Sequence, residues 1–355
     1  MRFLSEEIGN PASRSHEFGT RAKQAVEQAR EQVAEVVNAS REEVIFTSGA
    51  TESNNLAILG LAAEGERTGR KHLVSTQIEH KAVLEPLDWL TKRGFELTRL
   101  PPNPGGWVEP EQIKAALRPH TLLVSVMHVN NETGVVQPIG EIAEILTNHT
   151  AFFHVDAAQG FGKQILPLRS TRLDLISISG HKIYGPKGVG ALVARRRGFD
   201  RIPLTPLMVG GGQERGLRPG TLPVPLIVGL GKAAEIALKE AHNRAGRCIK
   251  FRKKALGMLE LLKPIFNGDQ TRTLPHVLNI SIPSLDSEAV MVALKELVAV
   301  SNGSACTSAS YEPSHVLKAM GLGEDTIRGA IRISWCHMTE DPDWKGIRDR
   351  IDKIR

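Results

Sequence analysis

The stretch SISGHKIYGPKGVG, residues 177–190, decides how this chain is read. Leu175-Ile176-Ser177-Ile178 is a short apolar run of the kind that fills a buried strand. It stops at Ser179-Gly180-His181-Lys182, and a glycine-punctuated loop with a second lysine, Lys187, follows at once. A long amine at the mouth of a strand, among residues that let backbone approach a ligand, suits a lysine that forms a Schiff base once its pKa is depressed.

Three other strand ends are equally polar. Thr47-Ser48-Gly49-Ala50-Thr51 follows Val44-Ile45-Phe46, His128-Val129-Asn130-Asn131-Glu132 follows the run 121–127, and Asp156-Ala157-Ala158-Gln159 follows 151–155. Any one of them is explained by capping and turn chemistry alone. Together, at the carboxyl edge of a parallel sheet, they sit where such sheets bind ligands. Gly49-Ala50-Thr51 opens a helix whose unpaired N–H groups and dipole suit a phosphate. Asp156, ending a buried strand, is costly unless it meets a cation. A phosphate cradle, a buried carboxylate and an amine describe a pyridoxal phosphate site, the carboxylate keeping the ring nitrogen protonated.

The remaining pattern is α/β. Residues 17–38 have helical periodicity in Ala22, Ala25, Val26, Ala29, Val33, Val36 and Val37. Strands are expected at 44–46, 121–127, 151–155 and 173–178, with a helix at 138–146 between two of them. After about residue 224 the pattern changes. Residues 225–262 read as two helices bent near Gly246, and 277–282, 330–335 and a last helix after Asp341 read as a smaller α+β unit. The expected domains are 10–240, binding the cofactor, and 241–355, with residues 1–9 packed on the smaller one.

The bulk properties exclude some functions. The chain has 355 residues, 41% of them hydrophobic, and a net charge of +6. Its basic clusters, Arg195-Arg196-Arg197 and Arg252-Lys253-Lys254, lack interleaved aromatics and read as solvated faces rather than a nucleic-acid groove. Cys248, Cys306 and Cys336 are its only cysteines, with no C-x-x-C pair, which fits a reducing cytoplasm and argues against a thiolate zinc site. No membrane-length apolar run and no signal peptide are recognised, so no membrane partner is expected. The loops 185–188 and 210–213 lack P-loop spacing. His16, His80, His128, His154 and His181 match no metal-ligand pattern, and no metal is expected.

These motifs together resemble the NifS/IscS-type cysteine desulfurases, class V aminotransferases with the pyridoxal phosphate fold type I. The resemblance runs from Gly9-Asn10-Pro11-Ala12-Ser13 almost to the end. It rests on SGATESNN (48–55), IEHKAV (78–83), HVNNETG (128–134), HVDAAQ (154–159), SGHKIYGPKG (179–188), RPGTLP (218–223), SNGSACTSAS (301–310) and IRIS (331–334). It implies a large domain with a mostly parallel, seven-stranded-type sheet and a smaller C-terminal domain carrying a cysteine loop.

The resemblance also assigns roles. Lys182 would hold the cofactor covalently. Ser179 and His181 would bind its phosphate with Ala50 and Thr51. His80 would stack on the ring and move protons, Asp156 would pair with the ring nitrogen, and Asn131 and Gln159 would bond near the ring hydroxyl. Thr221 would reach the phosphate of the neighbouring subunit, implying a homodimer. Arg332, with Asn131, would bind the substrate carboxylate. Lys187 has no such role. Cys306 lies among small residues that favour a loop over a packed core, and in the family this cysteine accepts sulfur as a persulfide. Cys248 reads as a core residue.

Three departures stand out. Only eight residues precede Gly9, where the family has a segment like D-Y-S-A-T-T. The C-terminal end is short. Cys336 stands where glycine is expected in R-x-S-x-G, either as a buried small residue or as a second redox-active thiol. The implied activity is conversion of L-cysteine to L-alanine by way of a ketimine, leaving sulfur on Cys306. An acceptor protein would then take that sulfur, for iron–sulfur assembly, tRNA thiolation or DNA sulfur modification. The alternatives are another fold-type I enzyme, a selenocysteine lyase or aminotransferase, and a weakly active sulfur-delivery scaffold.

Overall fold

The computed structural model describes residues 2–303 and 313–355. Among them are ten strands: β1 (Val44–Thr47), β2 (His72–Thr76), β3 (Glu96–Leu100), β4 (Thr121–Met127), β5 (Phe152–Asp156), β6 (Leu175–Ser179), β7 (Gly190–Ala194), β8 (Ile265–Phe266), β9 (Val277–Ser281) and β10 (Ala330–Ser334). The helices are α1 (Arg2–Ser5), α2 (Glu17–Val37), α3 (Ala50–Leu59), α4 (Ala62–Thr68), α5 (Lys81–Thr91), α6 (Pro110–Ala116) and α7 (Ile139–Ile145). They continue with α8 (Val224–Leu259), α9 (Ser287–Leu294), α10 (His315–Ala319), α11 (Glu324–Arg328) and α12 (Trp344–Lys353).

Seven strands form one sheet in the order β1-β7-β6-β5-β4-β2-β3. Only β7 runs against its neighbours, β1 and β6, so the carboxyl ends of all the others share one edge. The central strands are buried along their whole length. That requires helices on both faces, and explains their unbroken Val/Ile/Leu/Phe character. On one face, Val26, Ala29 and Val33 of α2 join Ile227, Leu230 and Ala234 of α8 in the main core. Those helices touch backbone to side chain, since a Cβ on Gly231 would lie 2.6 Å from Ala29 Cα. On the other face, Leu56 and Ile58 of α3 pack with Val83, Leu87 and Leu90 of α5.

The smaller sheet, β10-β9-β8, is antiparallel. Its core takes Cys248, Ala255 and Leu259 from the second half of α8, with Val290 of α9 and Ile347 and Ile351 of α12. α8 is one continuous helix, not the expected pair bent near Gly246. Both of its halves are anchored in cores, and that outweighs the ~1 kcal/mol cost of a helical glycine. Residue 240 lies within this shared helix. Phe3 of α1 packs against the main core.

The basic clusters are solvated only in part: Arg196, Lys253 and Lys254 are exposed as expected, whereas Arg195, Arg197 and Arg252 turn inward. Arg195 is 5% exposed and donates to the carbonyls of Val37, Asn38 and Leu168. Arg197 and Arg172 share the buried carboxylate of Asp174. Arg252 donates to the carbonyls of Leu274 and Val277. Guanidinium groups suit this work because each offers several donors in a fixed planar array to converging carbonyl and carboxylate oxygens. Arg30 does likewise for the 213–216 turn. It grips Glu214 through two bonds, 2.7 and 2.8 Å, although Glu214 and Arg215 both take left-handed backbone, with φ of 45° and 60°.

Candidate active site

A cavity of about 540 Å³ opens at the shared carboxyl edge of the large sheet. The expected residues Ala50, Thr51, His80, Asn131, Asp156, Gln159, Ser179, His181, Lys182 and Arg332 all line it. Thr221 is exposed and does not line the cavity of its own chain. Cys306 lies in 304–312, outside the described residues.

One end of the cavity is an anion cradle. The first backbone bond of α3 runs from Ser53 N–H to Gly49 C=O, so the N–H groups of Ala50 and Thr51 precede the helical ladder. Ser48 N–H instead donates to Glu52 at 2.7 Å, and Glu52 pairs with Arg218 at 3.0 Å. A Cβ on Gly190 would lie 2.3 Å from Ile178 O and 2.6 Å from Gly49 Cα, so only glycine lets β7 cross behind the cradle. The Ser179 hydroxyl lies 3.1 Å from His181 Nδ1. Burial, and then the charges of Lys182 and Lys187, hold the His181 pKa below the usual imidazole value, so the ring is a neutral partner at physiological pH.

The middle is organised around Asp156, 5% exposed at the end of β5. Its Oδ1 accepts from Ala158 N–H at 2.9 Å and its Oδ2 from Asn54 at 2.8 Å. The sequence reading overlooked Asn54. The available signal was its place four residues after Ala50, on the same face of α3. His80 caps α5, its Nδ1 accepting from Ala82 N–H at 3.1 Å, which leaves Nε2 as the nitrogen available for proton exchange. Lys182 sits in the single turn Gly180–Ile183 that follows β6.

The smaller sheet contributes the far wall. Arg332, on β10, donates from Nη1 to Asn131 O at 2.8 Å and bridges through its backbone to Ser301. The buried Glu132 accepts from Ser314 at 2.5 Å, and a Cβ on Gly303 would lie 3.0 Å from the same carboxylate oxygen. Both flanks of the segment containing Cys306 therefore meet Glu132 beside the cavity. This residue too was missed.

The family model for class V aminotransferases matches residues 1–344. The chain belongs to the class V aminotransferase family. A cysteine desulfurase IscS of Vibrio cholerae is 47% identical over 353 residues, covering 98% of this chain and 86% of that protein. Among solved structures, DndA from Streptomyces lividans is 51% identical with a TM-score of 0.85, over 94% of each chain. SspA in complex with cysteine is 38% identical with a TM-score of 0.82, over 94% of this chain and 92% of that one.

Class V aminotransferases use pyridoxal phosphate, and the donor set of this member fits that group. The N–H groups at the start of α3 and the Ser179 hydroxyl suit a phosphate, the buried Asp156 carboxylate suits a protonated ring nitrogen, and Lys182 lines the same cavity. Below the cavity floor, burial pushes the Glu79 carboxyl up to about 8, assisted by the Asp156 charge and opposed by bonds from Met127 N–H and Thr76. Its Oε2 has no partner among the described residues. The acid is therefore mostly neutral at pH 7, which spares this class V aminotransferase a second buried charge near Asp156. Cys248 is buried as expected, whereas Cys336 is only partly buried, its sulfur accepting from Met338 N–H at 3.4 Å.

Proposed function

We propose that this chain is a homodimeric cysteine desulfurase in which Lys182, Asp156, Arg332 and Cys306 carry the chemistry. The enzyme is a pyridoxal phosphate-dependent cysteine desulfurase that converts L-cysteine to L-alanine and delivers the sulfur to an acceptor. The observation that carries the residue assignment is the meeting of Lys182, Asp156 and Arg332 in one cavity, although they come from two sheets and distant parts of the chain.

Each residue does work that its surroundings suit. The N–H groups of Ala50 and Thr51, with Ser179 and His181, hold a phosphate at the helix N-terminus. When bound, pyridoxal phosphate supplies an aldehyde for amines and a ring that withdraws electrons from the substrate Cα. Asp156, fixed by Asn54 and Ala158, would hold the proton on the ring nitrogen. Gln159 and Asn131, both on the cavity wall, would orient the ring through its hydroxyl. Lys182 takes the proton from the substrate Cα, and His80 exchanges protons at the substrate through Nε2. Arg332 grips the substrate carboxylate with its planar fork. The Cys306 thiolate attacks the substrate sulfur. The bond from sulfur to Cβ breaks, its electron pair stays on the substrate and takes up a proton, and Cys306 is left as a persulfide.

The homodimer is supported by the surface beside Thr221. Leu207, Met208 and Val209 are 41%, 50% and 92% exposed, an apolar run that a second copy would cover. Thr221 would then serve the neighbouring cavity.

The test is incubation of the cofactor-loaded protein with L-cysteine. Alanine and protein-bound sulfane sulfur should form in equal amounts in a first turnover. A keto acid without sulfane sulfur would indicate transamination and overturn the reading. Sedimentation analysis tests the dimer.

A further inference from the structure

A second hollow, of about 90 Å³, lies against the other side of the turn that carries Lys182. Ile183 and Tyr184 of that turn form one wall, α8 forms another, and Lys163 and His276 close it. At ~10–15 Å³ per water, it has room for several waters or one ion of a few heavy atoms.

Its charges do not balance. Lys163 is pulled down to about 8 by burial and then by repulsion from Lys182, so it remains mostly charged at neutral pH. Among the described residues no carboxylate lines the hollow. The Lys163 amine makes no hydrogen bond or ion pair with any described residue. Cys248 cannot supply the missing charge, because burial and then Cys336 raise its pKa and keep it a thiol. Tyr184, 44% exposed, is a neutral phenol whose partial burial pushes it further up, to about 12, and burial takes His276 down to about 3, so each is neutral. Arg244 already has Glu240 at 3.0 Å. Lys163 is half-buried and brings its cation to a hollow whose other described lining is neutral apart from the paired Arg244, so an anion placed there would meet a positive charge with no carboxylate competing for it.

We propose that this hollow binds a compact oxyanion, an inorganic oxyanion or a small carboxylate, with the Lys163 ammonium as its counter-charge. The Tyr184 hydroxyl and the neutral His276 ring supply hydrogen-bonding groups around it. The site is separate from the cofactor cavity, and its shared wall is the Lys182 turn.

The experiment uses the cofactor-loaded enzyme, whose phosphate cradle is filled. Sodium sulfate and sodium acetate are titrated by calorimetry and by thermal unfolding, against sodium chloride at matched ionic strength. Saturable binding of at least one of the two oxyanions, at one per chain, is expected, and whichever binds identifies the source. Lys163→Met should weaken it at least tenfold. Lys163→Arg and Arg332→Ala should retain it, the latter excluding the substrate carboxylate site. Ala241→Leu, which fills the hollow and leaves Lys163 in place, should also abolish it and carries the test if Lys163→Met does not fold. Failure of wild type to bind either oxyanion would overturn the proposal. So would binding unchanged in both Lys163→Met and Ala241→Leu, binding lost in Arg332→Ala, or an equal response to chloride.

Discussion

The side-chain amide of Asn54 donates to the Asp156 carboxylate at 2.8 Å, across 102 residues of sequence. With Ala158 N–H on the other oxygen, it fixes the carboxylate that the ring nitrogen would meet. A hydrogen bond to a charged group contributes ~1.5–3 kcal/mol. Asn54→Ala should therefore weaken cofactor retention by about tenfold or more, read by absorbance as apoprotein is titrated with pyridoxal phosphate. Unchanged affinity would mean that the Ala158 bond alone suffices.

Lys182 and Lys187 both line the cavity, so chemistry must separate them. Borohydride reduction of the loaded enzyme followed by peptide mapping should label Lys182. Lys182→Ala should lose the yellow colour and essentially all turnover. A label on Lys187 would reverse the assignment.

Arg332 is held in place by Asn131 O, with its guanidinium on the cavity wall. Arg332→Ala removes a charged partner of the substrate carboxylate, worth ~2–5 kcal/mol. The loss should appear mainly as a raised KM for cysteine, and Arg332→Lys should recover only part of it, because an ammonium lacks the two-pronged geometry. A normal KM in Arg332→Ala would move the carboxylate clamp elsewhere.

Glu79 makes a pH prediction with a definite sign. Its carboxyl is raised from 4.5 to about 8, so across that interval the native state holds a proton the unfolded chain has released. Its contribution therefore falls as pH rises from 4.5 through about 8. Glu79→Gln, nearly isosteric and uncharged, should flatten that part of the stability profile, measured by denaturant midpoints over a pH series. An unaltered slope would mean that Glu79 ionises at no cost.

Cys306→Ser should still bind cysteine and produce coloured species, since those steps use Lys182, the cofactor and Arg332. It should form neither persulfide nor alanine at a useful rate, because a hydroxyl is a far weaker nucleophile at neutral pH. Mass spectrometry of sulfane sulfur decides among the thiols. Persulfide chiefly on Cys336 would transfer the role to that cysteine.

What the sequence determined by itself was local. The apolar runs of β4, β5 and β6 and the polar residues at their ends are short-range patterns, legible without a structure. Other elements carried too weak a signal. β3 is an edge strand, half exposed and mixed in character, and β2 begins with a buried histidine bonded to Thr121 and Thr98. β7 follows the glycine loop and runs straight into three arginines, the first of which, Arg195, is buried only because carbonyls from distant elements accept from it. Tertiary structure alone decided that α8 continues through Gly246, because its two halves are held by different cores. It also brought Asn54 to Asp156 and Ser314 to Glu132. Local sequence encodes backbone preference and the periodicity of a buried face. Which side chains meet across 102 or 182 residues is set by how those faces pack.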